Sequence, residues 1–71
     1  MGTAPRPPGH PDDATSAYVG LSAETAEQRA RRRGWTTVRA LPPGAIITLE
    51  YLEGRINFEV RGGEVVRCWS G

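Results

Sequence analysis

The chain has 71 residues, 38% of them hydrophobic, and a formal net charge of +1 at pH 7. That length holds one small domain and excludes a second domain or a deep catalytic cleft. Cys68 is the single cysteine, so no internal disulfide forms, and with His10 as the single histidine a four-ligand zinc site is out of reach; no metal or cofactor is expected.

Residues 1–15 hold four of the six prolines, with Gly2, Gly9, Asp12 and Asp13 and no apolar run. Such a composition buries too little surface to offset the entropy of ordering, so a disordered arm is expected over 1–15 and a single folded domain over 16–71. Removing residues 1–13 is then expected to leave thermal stability nearly unchanged. The arm also lacks the apolar stretch of a secretory signal, which leaves either an intracellular chain or one without its leader. The unpaired Cys68, read as a half-buried small hydrophobe, favours the former.

Ser22 is the expected N-cap of a helix in which Glu24 and Glu27 favour the positive end of the dipole. Arg29, Arg31, Arg32 and Arg33 crowd the negative end before Gly34 closes it, and Ala23, Ala26 and Ala30 give a narrow face suited to close packing on a sheet. Residues 35–41 read as a strand, with Trp35 at the core or its edge and β-branched Thr36, Thr37 and Val38; Pro42-Pro43 ends it because proline cannot donate to a ladder. Residues 44–55 then place Ile46, Ile47, Leu49, Tyr51 and Leu52 beside Glu50 and Glu53. A strand ends in turn residues of its own, yet Ile56, Phe58 and Val60 restart a period-two pattern, so the run is expected to be an extended loop between two strands. Leu49, set between Thr48 and Glu50, reads as bait for a hydrophobic pocket.

In the strand 55–61, Ile56, Phe58 and Val60 face one side and Arg55, Asn57, Glu59 and Arg61 the other. Gly62-Gly63 supplies a two-residue hairpin turn, and residues 64–69 return antiparallel. The long connection from the first strand allows it to pair with the second in parallel. The expected fold is α+β: one helix packed on a small mixed parallel and antiparallel sheet, with an extended exposed binding loop at one end.

Leu41-Pro42-Pro43-Gly44, then Thr48-Leu49-Glu50-Tyr51, then Arg55-Ile56-Asn57-Phe58-Glu59-Val60 resemble the reactive-site region of the potato inhibitor I family of serine protease inhibitors. Tyr18-Val19-Gly20 with the helix opening at Ser22, and Val66-Arg67 with Gly71, extend the resemblance over roughly residues 17–71. The Arg61-Gly62-Gly63 turn and Asn57 are most similar to its microbial branch, whose members inhibit subtilisin-like and elastase-like enzymes. The resemblance implies the parallel pairing, a secreted protein, and a substrate-like inhibitor in place of an enzyme. It implies Leu49-Glu50 as the reactive bond and Ile47, Thr48, Tyr51 and Leu52 as contacts to the protease. It also implies that Arg55 and Arg67 support the loop by bonding to Thr48 and Glu50, an Arg–carboxylate bond at the latter. Asn57 stands where plant members carry a second Arg, a donor without the charge. The implied partner is a serine endopeptidase with an apolar specificity pocket (subtilisin-, chymotrypsin- or elastase-like), with no nucleic acid or membrane and with the inhibitor a monomer.

Each of these residues has a plainer reading. Leu49 on its own is an exposed apolar side chain of a common sort, Arg55 and Arg67 are ordinary strand residues, and Tyr51 and Ile47 serve packing. Two rival functions are a non-inhibitory interaction or pro-domain-like module that uses the same loop, and nucleic-acid binding through Arg29-Ala30-Arg31-Arg32-Arg33 next to Trp35. Near neutrality of the whole domain counts against the latter. No nucleophile–base pair forms around His10 or Cys68, so an enzyme is not expected.

Overall fold

A computed structural model describes residues 11–45 and 50–71. A 3-10 turn, Thr15–Tyr18, precedes helix α1, Ala23–Arg32, and three strands follow: β1, Thr37–Leu41; β2, Arg55–Arg61; and β3, Glu64–Ser70. The sheet order is β1-β2-β3, with β1 parallel and β3 antiparallel to β2. This is the expected α+β architecture, one helix on a mixed sheet.

The Ser22 side chain accepts the Thr25 N–H at 3.2 Å, satisfying one of the four donors that a helix leaves open at its start. Ala26 and Ala30 are fully buried, so the helix backbone approaches the sheet closely. They join Tyr18, Trp35, Ile56, Phe58 and Val65 in the core, where the Tyr18 and Phe58 rings lie 5.5 Å apart. Leu21, Val38, Val60 and Cys68 pack around that cluster. The hairpin turn has positive φ at both Gly62 (58°) and Gly63 (82°), the geometry that matches the twist of the flanking strands.

Two strand expectations change. β1 starts at Thr37 and not at Trp35, because the Trp35 N–H still bonds to Ala30 O on α1 (3.1 Å) while Thr36 and Thr37 both donate to Gly54 O. Trp35 therefore serves the core from outside the ladder. On β2 the first half of the polar side is buried as well as that of the apolar one: Arg55 is 8% exposed and Asn57 0%, while Glu59 is half-buried and Arg61 exposed. The cause is position, since β2 is the central strand and Asn57 has Arg39 as its register partner on β1 and Trp69 on β3.

The start of the domain also differs. Asp13, expected in the arm, accepts hydrogen bonds on Oδ2 from the Tyr18 hydroxyl and from Trp35 Nε1–H (3.0 Å). A buried phenol and indole each need an acceptor, and a single carboxylate oxygen serves both. Residues 1–10 of the expected arm lie outside the described residues. Asp13→Ala is expected to lower stability by about 2 kcal/mol, because it strands two buried donors. Removing residues 1–13 is expected to do the same, against the expectation drawn from composition.

The Asp13 link also has a sign in pH. Desolvation raises the Asp13 pKa, but the bonds from Tyr18 and Trp35 and the charges of Arg33 and Arg29 outweigh it, leaving the pKa below its ordinary 3.8. A depressed carboxylate pKa stabilises fully above the unfolded value and loses that contribution as pH falls through the folded one. Melting temperatures of wild type and Asp13→Ala are therefore expected to differ near neutrality and to draw together as pH falls from 3.8 through the lower pKa of the folded state. A constant gap down to pH 2 would remove the ionised carboxylate from the account.

Candidate functional site

The segment 42–54 runs from the C-terminal end of β1, where Leu41 is paired with Glu59, back to the N-terminal end of β2, where Arg55 is paired with Thr37. It opens with a turn in which the Ala45 N–H bonds to Pro42 O at 3.2 Å. Ile46, Ile47, Thr48 and Leu49 lie outside the described residues, so three sequence-chosen positions, Ile47, Thr48 and Leu49, have no described geometry. The return limb, residues 50–54, is described and is tied down at several points.

Arg55 is the centre of that anchoring. Its Nη2 donates to Glu50 O at 2.7 Å and to Gly71 O at 2.7 Å, and its Nε adds a bond to Gly71 O at 3.2 Å. Its main chain closes the same knot, with Arg55 N donating to Leu52 O (3.3 Å) and Gly71 N to Arg55 O (2.9 Å). Leu52 N also donates to Gly71 O at 3.1 Å. A guanidinium is planar and carries donors in a fixed fork, so bonds to two carbonyls set direction as well as distance. The contact to Glu50 is to its carbonyl, where a bond to its carboxylate was expected.

Beyond the clasp, Gly54 O accepts from Thr36 N (3.0 Å), Thr37 N (3.2 Å) and Thr36 Oγ1 (3.2 Å). Tyr51 and Leu52 remain outward, 63% and 43% exposed. The Cδ2–Cε2 side of the Tyr51 ring lies against Gly71, where an added Cβ would come within 2.9 Å of Cδ2. Residue 71 has to lack a side chain for the ring to sit there.

Asn57, the other sequence-chosen support on β2, accepts from Arg39 Nε–H at 2.7 Å through Oδ1 and donates through Nδ2 to Trp69 O at 3.3 Å. Arg67 places its guanidinium 4.9 Å from the centre of the Trp69 ring, a cation–π contact, and Glu59 is its register partner. Sequence reasoning missed Arg39 and assigned Gly71 no contact. The available signal for Arg39 was the parallel register, which sets 39 opposite 57 once Thr37 is set opposite Arg55.

The arginine cluster on α1 is partly absorbed by the fold: Arg29 lies 5.6 Å from the Tyr18 ring centre, and Arg31 pairs with Glu27 at 3.0 Å. The Cys68 thiol is half-buried and free, its pKa pushed up to about 12 by burial and by the charge of Asp13, so it is neither a thiolate nor a nucleophile at neutral pH. Among the described residues no helix is long and apolar enough to cross a membrane.

The chain matches one family model, that of the peptidase inhibitor I78 family, over residues 13–71. This is a protease inhibitor family other than potato inhibitor I, which the loop residues resemble. The matched segment starts at Asp13, the residue that anchors Tyr18 and Trp35. No curated protein matches the chain.

Proposed function

This chain belongs to the peptidase inhibitor I78 family and is a non-enzymatic inhibitor; from that premise we propose that it inhibits serine endopeptidases in the manner of a substrate, with Leu49-Glu50 as the reactive bond. The target class is one with an apolar pocket, subtilisin-like, chymotrypsin-like or elastase-like, because a Leu at 49 fills such a pocket and leaves the acid of a trypsin-like one unpaired. Ile47, Thr48, Tyr51 and Leu52 flank the bond as main-chain and side-chain contacts along the cleft, in the mode of an added strand.

The observation that carries this reading is the Arg55 clasp. Burying a Leu side chain contributes about 1.5–3 kcal/mol, against about 12 kcal/mol for a nanomolar complex. The rest comes from main-chain bonds and from a loop that is ordered before it binds, so that little entropy is lost on docking. Arg55 holds the carbonyl of Glu50, and the Gly71 carbonyl holds the N–H of Leu52. If the protease serine attacks the Leu49 carbonyl and the bond to Glu50 breaks, the freed Glu50 amine stays tethered beside the acyl group. Its nitrogen attacks the ester carbon, the ester C–O bond breaks, and the serine oxygen takes back a proton. An untethered limb would leave, and water would complete hydrolysis.

Titration of subtilisin and of chymotrypsin with the purified protein, followed by mass spectrometry of the mixture, tests this. Stoichiometric loss of activity with any cut confined to Leu49-Glu50 is the expected result. Active enzymes with a digested loop would overturn it and leave a loop that serves another partner.

A further inference from the structure

We infer that Arg39, on the strand that enters the loop, is a positioning residue for inhibition, acting through Asn57 as a second cationic support. The inference rests on the inhibitor reading above. β1 runs directly into the loop and β2 directly out of it, and because the two strands are parallel their register, Thr37 beside Arg55 and Leu41 beside Glu59, fixes where the two ends of the loop stand. Between the strands lies a chain of polar contacts that crosses the whole sheet: Arg39 Nε–H to Asn57 Oδ1 at 2.7 Å, and Asn57 Nδ2–H to Trp69 O at 3.3 Å. It links β1 to β2 and β2 to β3, and β3 leads to Gly71, the acceptor of the Arg55 clasp.

Asn57 is fully buried, and a buried amide oxygen needs only some donor. The donor it has is a guanidinium, with no carboxylate within ion-pair distance of Arg39 among the described residues. Arg39 is itself half-buried, and holding a long charged side chain in one place costs side-chain entropy and some desolvation that a short hydroxyl or amide donor would avoid, so satisfying Asn57 alone does not call for it. Register pairs 37 with 55 and 39 with 57, so Arg39 and Arg55 stand on the same face of the sheet, on neighbouring strands. Asn57 therefore joins Arg39 on β1 to the Trp69 carbonyl on β3, two residues before the Gly71 carbonyl that Arg55 holds. A neutral residue on β2 is sufficient there because the charge comes from β1.

The test uses the full chain and three variants: Arg39→Met, Arg39→Met with Asn57→Arg, and Val65→Ala as a core control remote from this face. Cleavage at Leu49-Glu50 by subtilisin, melting temperature, and amide hydrogen exchange of residues 50–54 in the free protein are measured for each. Loss of one charge-assisted contact corresponds to about tenfold or more in cleavage rate and in exchange of those amides. Arg39→Met is expected to show that rise, Val65→Ala is expected to lower the melting temperature without it, and the double variant is expected to reverse it by returning a guanidinium to the same patch. Arg39→Met behaving like Val65→Ala, or a double variant that restores nothing, would overturn the assignment. Should Arg39→Met fail to fold, Arg39→Gln replaces it, since it removes the charge and keeps a polar side chain, with the same two outcomes. A wild type that inhibits no protease removes the inhibitor reading, while hydrogen exchange still decides whether Arg39 orders the loop.

Discussion

Replacing Leu49 with Asp is expected to weaken inhibition of an apolar-pocket protease by at least ~10³-fold while leaving the circular dichroism spectrum and melting temperature close to those of wild type. Two terms add. The variant forfeits the burial of a Leu side chain, about 1.5–3 kcal/mol, and it carries a carboxylate into a pocket with no cation, a penalty of several kcal/mol. Together these exceed the ~4 kcal/mol that a thousandfold loss requires. The core of the described residues, Tyr18, Ala26, Ala30, Trp35, Ile56, Phe58 and Val65, is drawn from elements on either side of the loop, which is why the fold is expected to stand. Leu49→Met, by contrast, should keep most of the affinity, since it conserves volume and apolar character. Undiminished inhibition by Leu49→Asp with an intact spectrum would move the reactive bond elsewhere.

The second large effect is expected for Arg55→Ala. That change removes three hydrogen bonds and leaves the carbonyls of Glu50 and Gly71 without the guanidinium. Charge-assisted bonds contribute about 1.5–3 kcal/mol each, with sharing between them reducing the sum, so a loss of about 2–4 kcal/mol in stability is expected. For a domain of this size each kcal/mol lowers the melting temperature by about 4–8 °C. The functional effect is expected to be larger than the thermal one, because the released limb is the one that must wait beside the acyl group: cleavage at Leu49-Glu50 should rise about 10²-fold or more. Arg55→Lys should fall between, since one ammonium keeps the charge but cannot reproduce the planar fork. Equal cleavage of wild type and Arg55→Ala, measured where both are folded, would show that the clasp serves the fold alone.

The parts legible in the sequence are those set by local chemistry. Ser22 and Gly34 bracket the helix, the alternation over residues 55–61 marks β2, and Gly62-Gly63 marks the hairpin; each depends on neighbours within a few positions. The loop is legible because an apolar run is followed at once by a fresh period-two pattern. What the sequence hides are partners fixed by distant pairing. Arg39 and Asn57 are 18 positions apart, and only the parallel register joins them. The clasp from Arg55 goes to main-chain carbonyls, which side-chain patterns do not report. Asp13 sits in a stretch whose composition reads as disorder, and its value lies in two buried donors that come from residues 18 and 35. Leu49 has its assigned role from resemblance and chemical character, and loop chemistry of this kind does not distinguish one inhibitor family from another.

The parallel pairing of β1 with β2 has a consequence for the nicked protein. A break at Leu49-Glu50 leaves α1 and β1 on one fragment and β2 and β3 on the other. The core divides the same way, with Tyr18, Ala26, Ala30 and Trp35 facing Ile56, Phe58 and Val65 across the break. Intact, the chain closes a loop over residues 42–54 and its folding is unimolecular; nicked, it becomes a heterodimer without a covalent link. Its persistence then follows mass action: at high concentration the halves remain one globule, and on dilution they part. Dilution, to which the uncut inhibitor is indifferent, would thus dispose of the spent one.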